Sequence, residues 1–183
     1  MRIIGGNLKG RHFKPYKKFT GRATTDFAKE GLFNVLDNMY YFEGLEILDL
    51  FAGTGNISIE FASRGAKKLV LVEKNKLYLN YIKRTVSELF PDKLSNFTFI
   101  NYDVFAFVKE YPLNYDIIFA DPPYQLPNFE QLPDLIFSNT SIRDDTLFIL
   151  EHSRFFKFQK HPYFRMQRKY GSVNFSFFSK EKL

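Results

Sequence analysis

Asp121-Pro122-Pro123-Tyr124 is the segment of this chain with the most pointed chemistry. Its two prolines lack a backbone N–H and hold φ near about −65°, so the turn is stiff and no local donor consumes the Pro122 carbonyl. That carbonyl and the Asp121 carboxylate present two acceptors at one spot. Such a pair can hold the exocyclic NH2 of a base, draw its nitrogen from planar toward tetrahedral and aim the lone pair at an electrophile. Tyr124 can stack on the same base. An activated electrophile needs no strong base, and the amine proton can leave afterwards through Asp121 or solvent. A target held in a stack or duplex must first be extruded. Without a ligand, the same four residues read as a Pro-stiffened strand exit with Asp in the turn.

A second motif, Asp49-Leu50-Phe51-Ala52-Gly53-Thr54-Gly55, lies where an apolar run turns into a helical pattern. Gly53 and Gly55 let backbone approach a ligand without Cβ interference, and the helix start supplies free N–H groups. Glu73 ends the next apolar run 18 residues after Gly55, a spacing at which a carboxylate can accept both hydroxyls of a ribose. A dinucleotide fingerprint would place a third glycine at Ser58, so dinucleotide binding is disfavoured. Asp49 instead suits a ligand carrying positive charge, as S-adenosylmethionine does at its sulfonium and ammonium groups. Asp103, followed by Val104, stands where the next loop crosses the sheet top. It can accept the adenine amino hydrogen, or it can simply cap the helix that follows.

Five short apolar runs separated by helical patterns must position these residues: 46–51 (EILDLF), 68–73 (KLVLVE), 97–101 (FTFIN), 115–120 (YDIIFA) and 146–151 (TLFILE). Alternation of this kind predicts a parallel sheet covered by helices. The expected helices are 55–64, closed by Gly65; 75–90, stopped by Pro91; 104–110; and 129–139. Ahead of the sheet, Thr25 or Asp26 can cap a helix whose apolar face is Ala28, Leu32, Val35 and Met39. Residues 161–178 read as two strands turning near Gly171 and Ser172. Asp49, Glu73 and Asp103 then fall at carboxyl ends of successive strands, the edge where open α/β sheets bind ligands.

Composition narrows the chemistry further. With 183 residues, 45% hydrophobic and 25% charged, the chain can build a sizeable core, and its length predicts one domain. There is no cysteine, and His12, His152 and His161 are scattered, so neither a disulfide framework nor a metal site is expected. No apolar run is long enough to span a bilayer and the first residues lack a signal-peptide core, which predicts a cytoplasmic protein without membrane contact. Residues 1–25 and 152–183 each carry a net +7 against +6 for the whole chain, leaving a net −8 between them. A polyanion would choose the ends, where Phe13, Tyr16, Phe19, Phe155, Phe156, Phe158, Tyr163, Phe164 and Tyr170 interleave with the charges as base-stacking residues do. Solvated Lys and Arg on surface hairpins are the plainer reading.

DPPY together with DLFAGTG resembles the class I methyltransferases that act on amino groups of bases. The flanks narrow the resemblance. Arg2-Ile3-Ile4-Gly5-Gly6 with Lys9-Gly10-Arg11, then Arg22-Ala23-Thr24-Thr25-Asp26 running into Lys29-Glu30 and Leu32-Phe33-Asn34, is similar to the N-terminal signature of the RsmD family of small-subunit rRNA guanine-N2 methyltransferases. The likeness runs from Arg2 to about Phe178. It implies an α/β, Rossmann-like class I fold: a mostly parallel seven-stranded sheet of order 3-2-1-4-5-7-6 with helices on both faces, preceded by a basic N-terminal hairpin over 1–22 and forming one domain with the core 23–183. It further implies S-adenosylmethionine over Phe51, Gly53, Thr54 and Gly55, its ribose on Glu73 and its adenine near Asp103 and Val104. The target guanine would lie against Asp121, Pro122, Pro123 and Tyr124. Arg22, Thr24 and Asp26 would close the pocket, Arg11 would join the substrate contacts, and the substrate would be 16S rRNA, presented on the small subunit. Two positions depart from the family pattern, Ala23 where proline is usual and Phe27 where arginine is usual. Two rival readings are an amino methyltransferase acting on DNA adenine or cytosine, which generally needs a separate recognition region that 183 residues hardly accommodate, and a non-catalytic RNA-binding module with a degenerate pocket.

Overall fold

The apolar runs become strands whose alternating side chains feed two separate cores. In the computed structural model, which describes residues 1–17, 19 and 24–182, the elements in chain order are α1 (Asp26–Asp37), β1 (Glu46–Leu50), α2 (Asn56–Ser63), β2 (Lys68–Val72), α3 (Lys76–Leu89), β3 (Phe97–Ile100), α4 (Val104–Glu110), β4 (Ile117–Ala120), α5 (Leu132–Ser138), β5 (Leu147–His152), β6 (Phe164–Tyr170) and β7 (Val173–Phe178). Ile47, Leu69, Leu71, Ile117, Phe119 and Ile149 pack on one side with Leu32, Phe33, Phe61 and Ile82 from α1, α2 and α3. Leu48, Leu50, Val70, Val72, Ile118 and Leu150 pack on the other with Val104, Phe107, Leu132 and Ile136 from α4 and α5. A strand covered on both faces has no wet side, which is why these segments are apolar throughout.

The sheet has seven strands in the order β3-β2-β1-β4-β5-β7-β6. The pairs among β1 to β5 are parallel, and β7 runs antiparallel to both β5 and β6. Both the topology and the mostly parallel sheet agree with the class I methyltransferase fold expected from the sequence. The order in which strands are added reverses between the parallel neighbours β1 and β4, so the loops leaving them diverge to opposite faces and open a crevice at their carboxyl ends. Gly171, with φ 62°, makes the tight turn from β6 to β7.

Several local expectations shift. The expected helix 129–139 is a 3-10 turn, Phe129–Gln131, leading into α5, with Pro133 in the first helical turn, where its missing N–H leaves no intrahelical bond unmade. Thr25, not Asp26, caps α1, accepting from the Ala28 N–H at 3.2 Å. The buried face of that helix is Ala28, Lys29, Leu32, Phe33 and Leu36; Val35 and Met39 only edge the core. At the N-terminus Arg2 and His12 form an antiparallel bridge, extended by Ile3 N–H to Arg11 O at 2.9 Å and Gly10 N–H to Ile3 O at 2.8 Å. Glu60 of α2 holds this short hairpin by accepting from the Ile4 and Gly5 N–H groups at 2.8 and 2.7 Å. Among the described residues no helix is long and apolar enough to cross a membrane.

Candidate active site

Register and period-two alternation together decide which side chains meet. Asp49, Phe119 and Ile149 are paired across β1, β4 and β5 and share a face. Two residues further along β4 and β5, Asp121 and Glu151 therefore point to that same face, beside Asp49. Three carboxyl groups from three adjacent strands thus converge at the carboxyl edge of the sheet. Asp49 is 2% exposed and accepts from Ser58 Oγ at 2.6 Å. Burial pushes its carboxyl up to about 7, with Glu73 adding to the effect and Ser58 opposing it. Asp121 is held well above the ordinary carboxylate range, first by burial and then by the neighbouring charges of Glu151 and Asp49. Glu151 itself takes a hydrogen bond from Thr24 Oγ1 at 2.9 Å.

These acids open into a cavity of about 610 Å³ that also receives both sequence motifs. Phe51, Gly53 and Thr54 form one wall, Asp121 to Tyr124 another, and Glu73, Asp103 and Val104 complete the rim. The volume lies within the roughly 300–1,000 Å³ typical of small-molecule sites. Backbone in this loop is unusual: Phe51 (φ 61°) and Gly53 (φ 55°) both adopt left-handed conformations. A non-glycine residue in that region is rare and is held there only by its surroundings. A Cβ on Gly53 would come within 3.3 Å of the Phe19 ring, which lines the same cavity, so glycine here keeps the cradle open. Glu73 fixes the loop by accepting from the Gly53 N–H at 2.9 Å and from the Asn75 N–H at 2.7 Å. Each of its oxygens retains a further lone pair for a hydroxyl.

Asp103 takes the capping role and adds an ion pair. One oxygen caps α4, accepting from the Phe105 and Ala106 N–H groups at 3.0 and 3.2 Å, while the other pairs with Lys74 Nζ at 3.1 Å. Partial burial opposes ionisation, yet Lys74 and the two N–H donors outweigh it and hold the carboxyl below its usual range.

Some expected site residues lie elsewhere. Gly55 is absent from the cavity wall; its missing Cβ instead makes room for Ile82 of α3, which a Cβ would approach to 2.8 Å. Asp26 turns toward the N-terminal hairpin, with its carboxylate 3.6 Å from Arg2 Nε. Arg11 is exposed on that hairpin and does not reach the cavity. Thr24 does line it, and Arg22 falls outside the described residues.

Sequence reasoning had assigned no role to Glu151, Asn56, Lys29 or Tyr78. Glu151 closes TLFILE just as Glu73 closes KLVLVE, and that parallel was the available signal. Lys29 is fully buried, with Nζ donating to Arg2 O at 2.6 Å and Asn56 Oδ1 at 2.8 Å, and lying 3.3 Å from Glu60. Desolvation lowers its pKa against the pull of Glu60. Asn56 in turn donates to the Thr24 carbonyl at 3.2 Å. A continuous polar chain, Lys29 to Asn56 to Thr24 to Glu151, therefore ties the start of the chain to the acids of the cavity.

The arrangement can do three things: seat a hydroxyl-bearing ligand on Glu73, favour positive charge near Asp49, and present two acceptors at the Asp121 turn. Comparison with known proteins agrees. The family described as conserved hypothetical protein 95 matches residues 1–179. Ribosomal RNA small subunit methyltransferase D of Haemophilus influenzae is 35% identical over 154 residues, 82% of this chain and 78% of its own. Its Escherichia coli namesake is 30% identical over 152 residues, 82% of this chain and 74% of its own. Among solved structures, Haemophilus influenzae HI0767, described as a methylase, superposes with a TM-score of 0.77 at 27% identity over 99% of this chain and 98% of its own. Escherichia coli yhhF superposes with a TM-score of 0.83 over 100% of this chain and 99% of its own; at 24% identity that likeness bears on the fold alone. A match over nearly the whole chain, together with relatives at 30% identity or more, makes this protein a member of the conserved hypothetical protein 95 family, the RsmD family.

Proposed function

We propose that this protein transfers a methyl group from S-adenosylmethionine to the exocyclic N2 of a guanine in 16S rRNA of the small ribosomal subunit, in the cytoplasm. The observation that carries the reading is the single cavity onto which both the glycine-bearing turn and the Asp121–Tyr124 turn open. The relatives named small subunit rRNA methyltransferases supply the substrate class.

The residues fit the cofactor by the chemistry of their groups. Glu73 would take the ribose hydroxyls, Asp103 and Val104 the adenine, and Asp49 the cationic end; the missing Cβ at Gly53 keeps the cradle beside them open. When bound, S-adenosylmethionine supplies a methyl group on a positively charged sulfur, which N2 takes as the carbon–sulfur bond breaks to leave a neutral thioether. The Asp121 carboxylate and the Pro122 carbonyl accept the two hydrogens of N2, which fixes the amino group and directs its lone pair. Tyr124 packs on the guanine face. After transfer N2 must lose one proton, and Asp121, whose proton affinity is raised by burial and then by Glu151 and Asp49, takes it and passes it to solvent. Thr24 holds Glu151 in place through its hydroxyl. Arg11, on the N-terminal hairpin, and Arg22 remain candidates for substrate contacts.

Incubation with tritiated cofactor and stripped small subunits, free 16S rRNA or DNA tests the reading, with mass mapping of the labelled base. Label on a guanine of small-subunit rRNA is expected. Label confined to DNA, or no calorimetric binding of S-adenosylmethionine at near-millimolar concentration, would overturn it.

A further inference from the structure

The segment between β5 and β6 leaves the same sheet edge as the candidate site, immediately after Glu151 and His152. Its residues sort by face. Phe158 is buried against His152 and Phe178, with ring centroids 4.9 and 5.7 Å apart, and Phe156 stacks edge-on against Phe129 at 4.4 Å. Phe129 follows the Asp121–Tyr124 turn, so the two loops are clamped together. Phe155, in the turn that the Phe156 N–H closes onto Ser153 O at 3.3 Å, and Lys157, between the two anchors, are both exposed. Phe155 is 78% exposed, and the Arg154 guanidinium lies over its ring at 5.3 Å. Phe155 thus stands exposed beside the half-buried Phe156, in company with cations rather than alone. Lys160 adds a third exposed cation, and no acid occurs between Glu151 and Glu181.

We propose that residues 154–160 form an RNA-contact platform beside the cavity, on which Phe155 stacks against a base flanking the target nucleotide while Arg154, Lys157 and Lys160 meet phosphates. The inference rests on RNA being the substrate, and it names which surface holds that RNA. Charge and stacking faces match a single-stranded nucleic acid, whose phosphates seek the cations and whose every base offers a π-face. The anchors Phe156 and Phe158 position the platform without touching the substrate.

Binding of a fluorescent 16S rRNA fragment to the full chain, measured across a salt series, tests the proposal alongside calorimetry with S-adenosylmethionine. Phe155→Ala is expected to weaken RNA binding by roughly 5- to 100-fold, and Phe155→Trp to restore it. Replacing Arg154, Lys157 and Lys160 together by alanine should flatten the slope of log affinity against log salt by about 2 to 3. Cofactor affinity and thermal midpoint should stay at wild-type values in all variants. Wild-type RNA affinity and salt slope in both alanine variants would overturn the platform while leaving the methyltransferase reading intact. Transfer by the wild-type protein to DNA alone would instead remove the reading and the platform with it.

Discussion

Replacing Asp49 by asparagine should make the protein more stable and less able to bind its cofactor, two effects that ordinary damage would not separate. Asp49 is 2% exposed, is held by one hydrogen bond from Ser58, and has its carboxyl pushed up to about 7. In the unfolded chain the same group titrates near about 3.9, and each unit of difference corresponds to about 1.36 kcal/mol. The folded form therefore holds a proton that the unfolded form has lost between about pH 4 and 7, so folding stability falls as pH rises through that window and levels off above it. The full penalty is about 4 kcal/mol, most of it developing between about pH 5 and 8. The amide introduced by Asp49→Asn carries no charge and keeps an oxygen for Ser58. Its advantage over wild type should therefore widen by about 3 kcal/mol between those two pH values, and an imperfect hydrogen bond would lower the advantage at both by up to about 1 kcal/mol without changing that difference. In a chain of this length that is a rise in thermal midpoint of roughly 5–10 °C at pH 8. Calorimetry at pH 8 should show S-adenosylmethionine binding weakened tenfold or more, and wild-type affinity should improve as pH rises toward 7 because the cation favours the ionised carboxyl. Urea titrations at pH 5 and 8 provide the check. If the stability of the Asp49→Asn variant relative to wild type is the same at both pH values, the account of a buried carboxyl with raised proton affinity is refuted.

Asp121→Asn should keep cofactor affinity within about threefold while lowering transfer by about 10²- to 10³-fold, the loss typical of one electrostatic contact at a reacting centre; single-turnover label transfer reads it. Gly55→Ala should lower stability by about 1–3 kcal/mol through its φ of 72° and the 2.8 Å approach to Ile82, with cofactor affinity changing little in the protein that folds. Lys29→Met should cost about 3–5 kcal/mol in urea unfolding, because it leaves the Glu60 carboxylate buried with less compensation.

Much of the scaffold was legible because two-sided burial leaves a blunt trace: KLVLVE and YDIIFA have no polar face to hide. The strand-end acids were legible for the same reason, since a carboxylate closing an apolar run stands out. Glu151 was visible in that way but acquires meaning only beside Asp121, and the pairing of β4 with β5 is a fact of register that a single strand does not encode. Lys29 was opaque because a lysine next to an apolar stripe ordinarily reaches water. Its burial depends on Glu60 and Asn56, both more than 25 residues away. Gly55 shows the converse difficulty. A glycine announces that a Cβ is unwelcome without saying what would meet it, and here the neighbour is a helix side chain. Phe51 gave no sign of its left-handed backbone, since nothing in a phenylalanine asks for φ above zero.

The charge arrangement also bears on how a polyanion could use this site. Once ionised, which for Asp49 and Asp121 needs a pH above the ordinary carboxylate range, the acids of this cavity are hostile to phosphate: two like charges about 5 Å apart repel by about 3 kcal/mol at an effective dielectric constant near 20. Apart from Lys74, which lines the cavity and is paired with Asp103, exposed cations lie on the loop after β5 and on the N-terminal hairpin. An RNA strand approaching this edge is thus held at the rim by its backbone and can enter only through a base, which brings amino hydrogens to the acids and leaves its phosphates behind. On the proposed function the same carboxyl groups would attract the cationic cofactor, accept the amine and exclude the wrong part of the substrate. Neutralising Asp121 and Glu151 together should then relax the exclusion. The double variant Asp121→Asn, Glu151→Gln is expected to bind inorganic phosphate or a mononucleotide more tightly than wild type while losing transfer. Unchanged anion affinity in that variant would show that shape, rather than charge, keeps the backbone out.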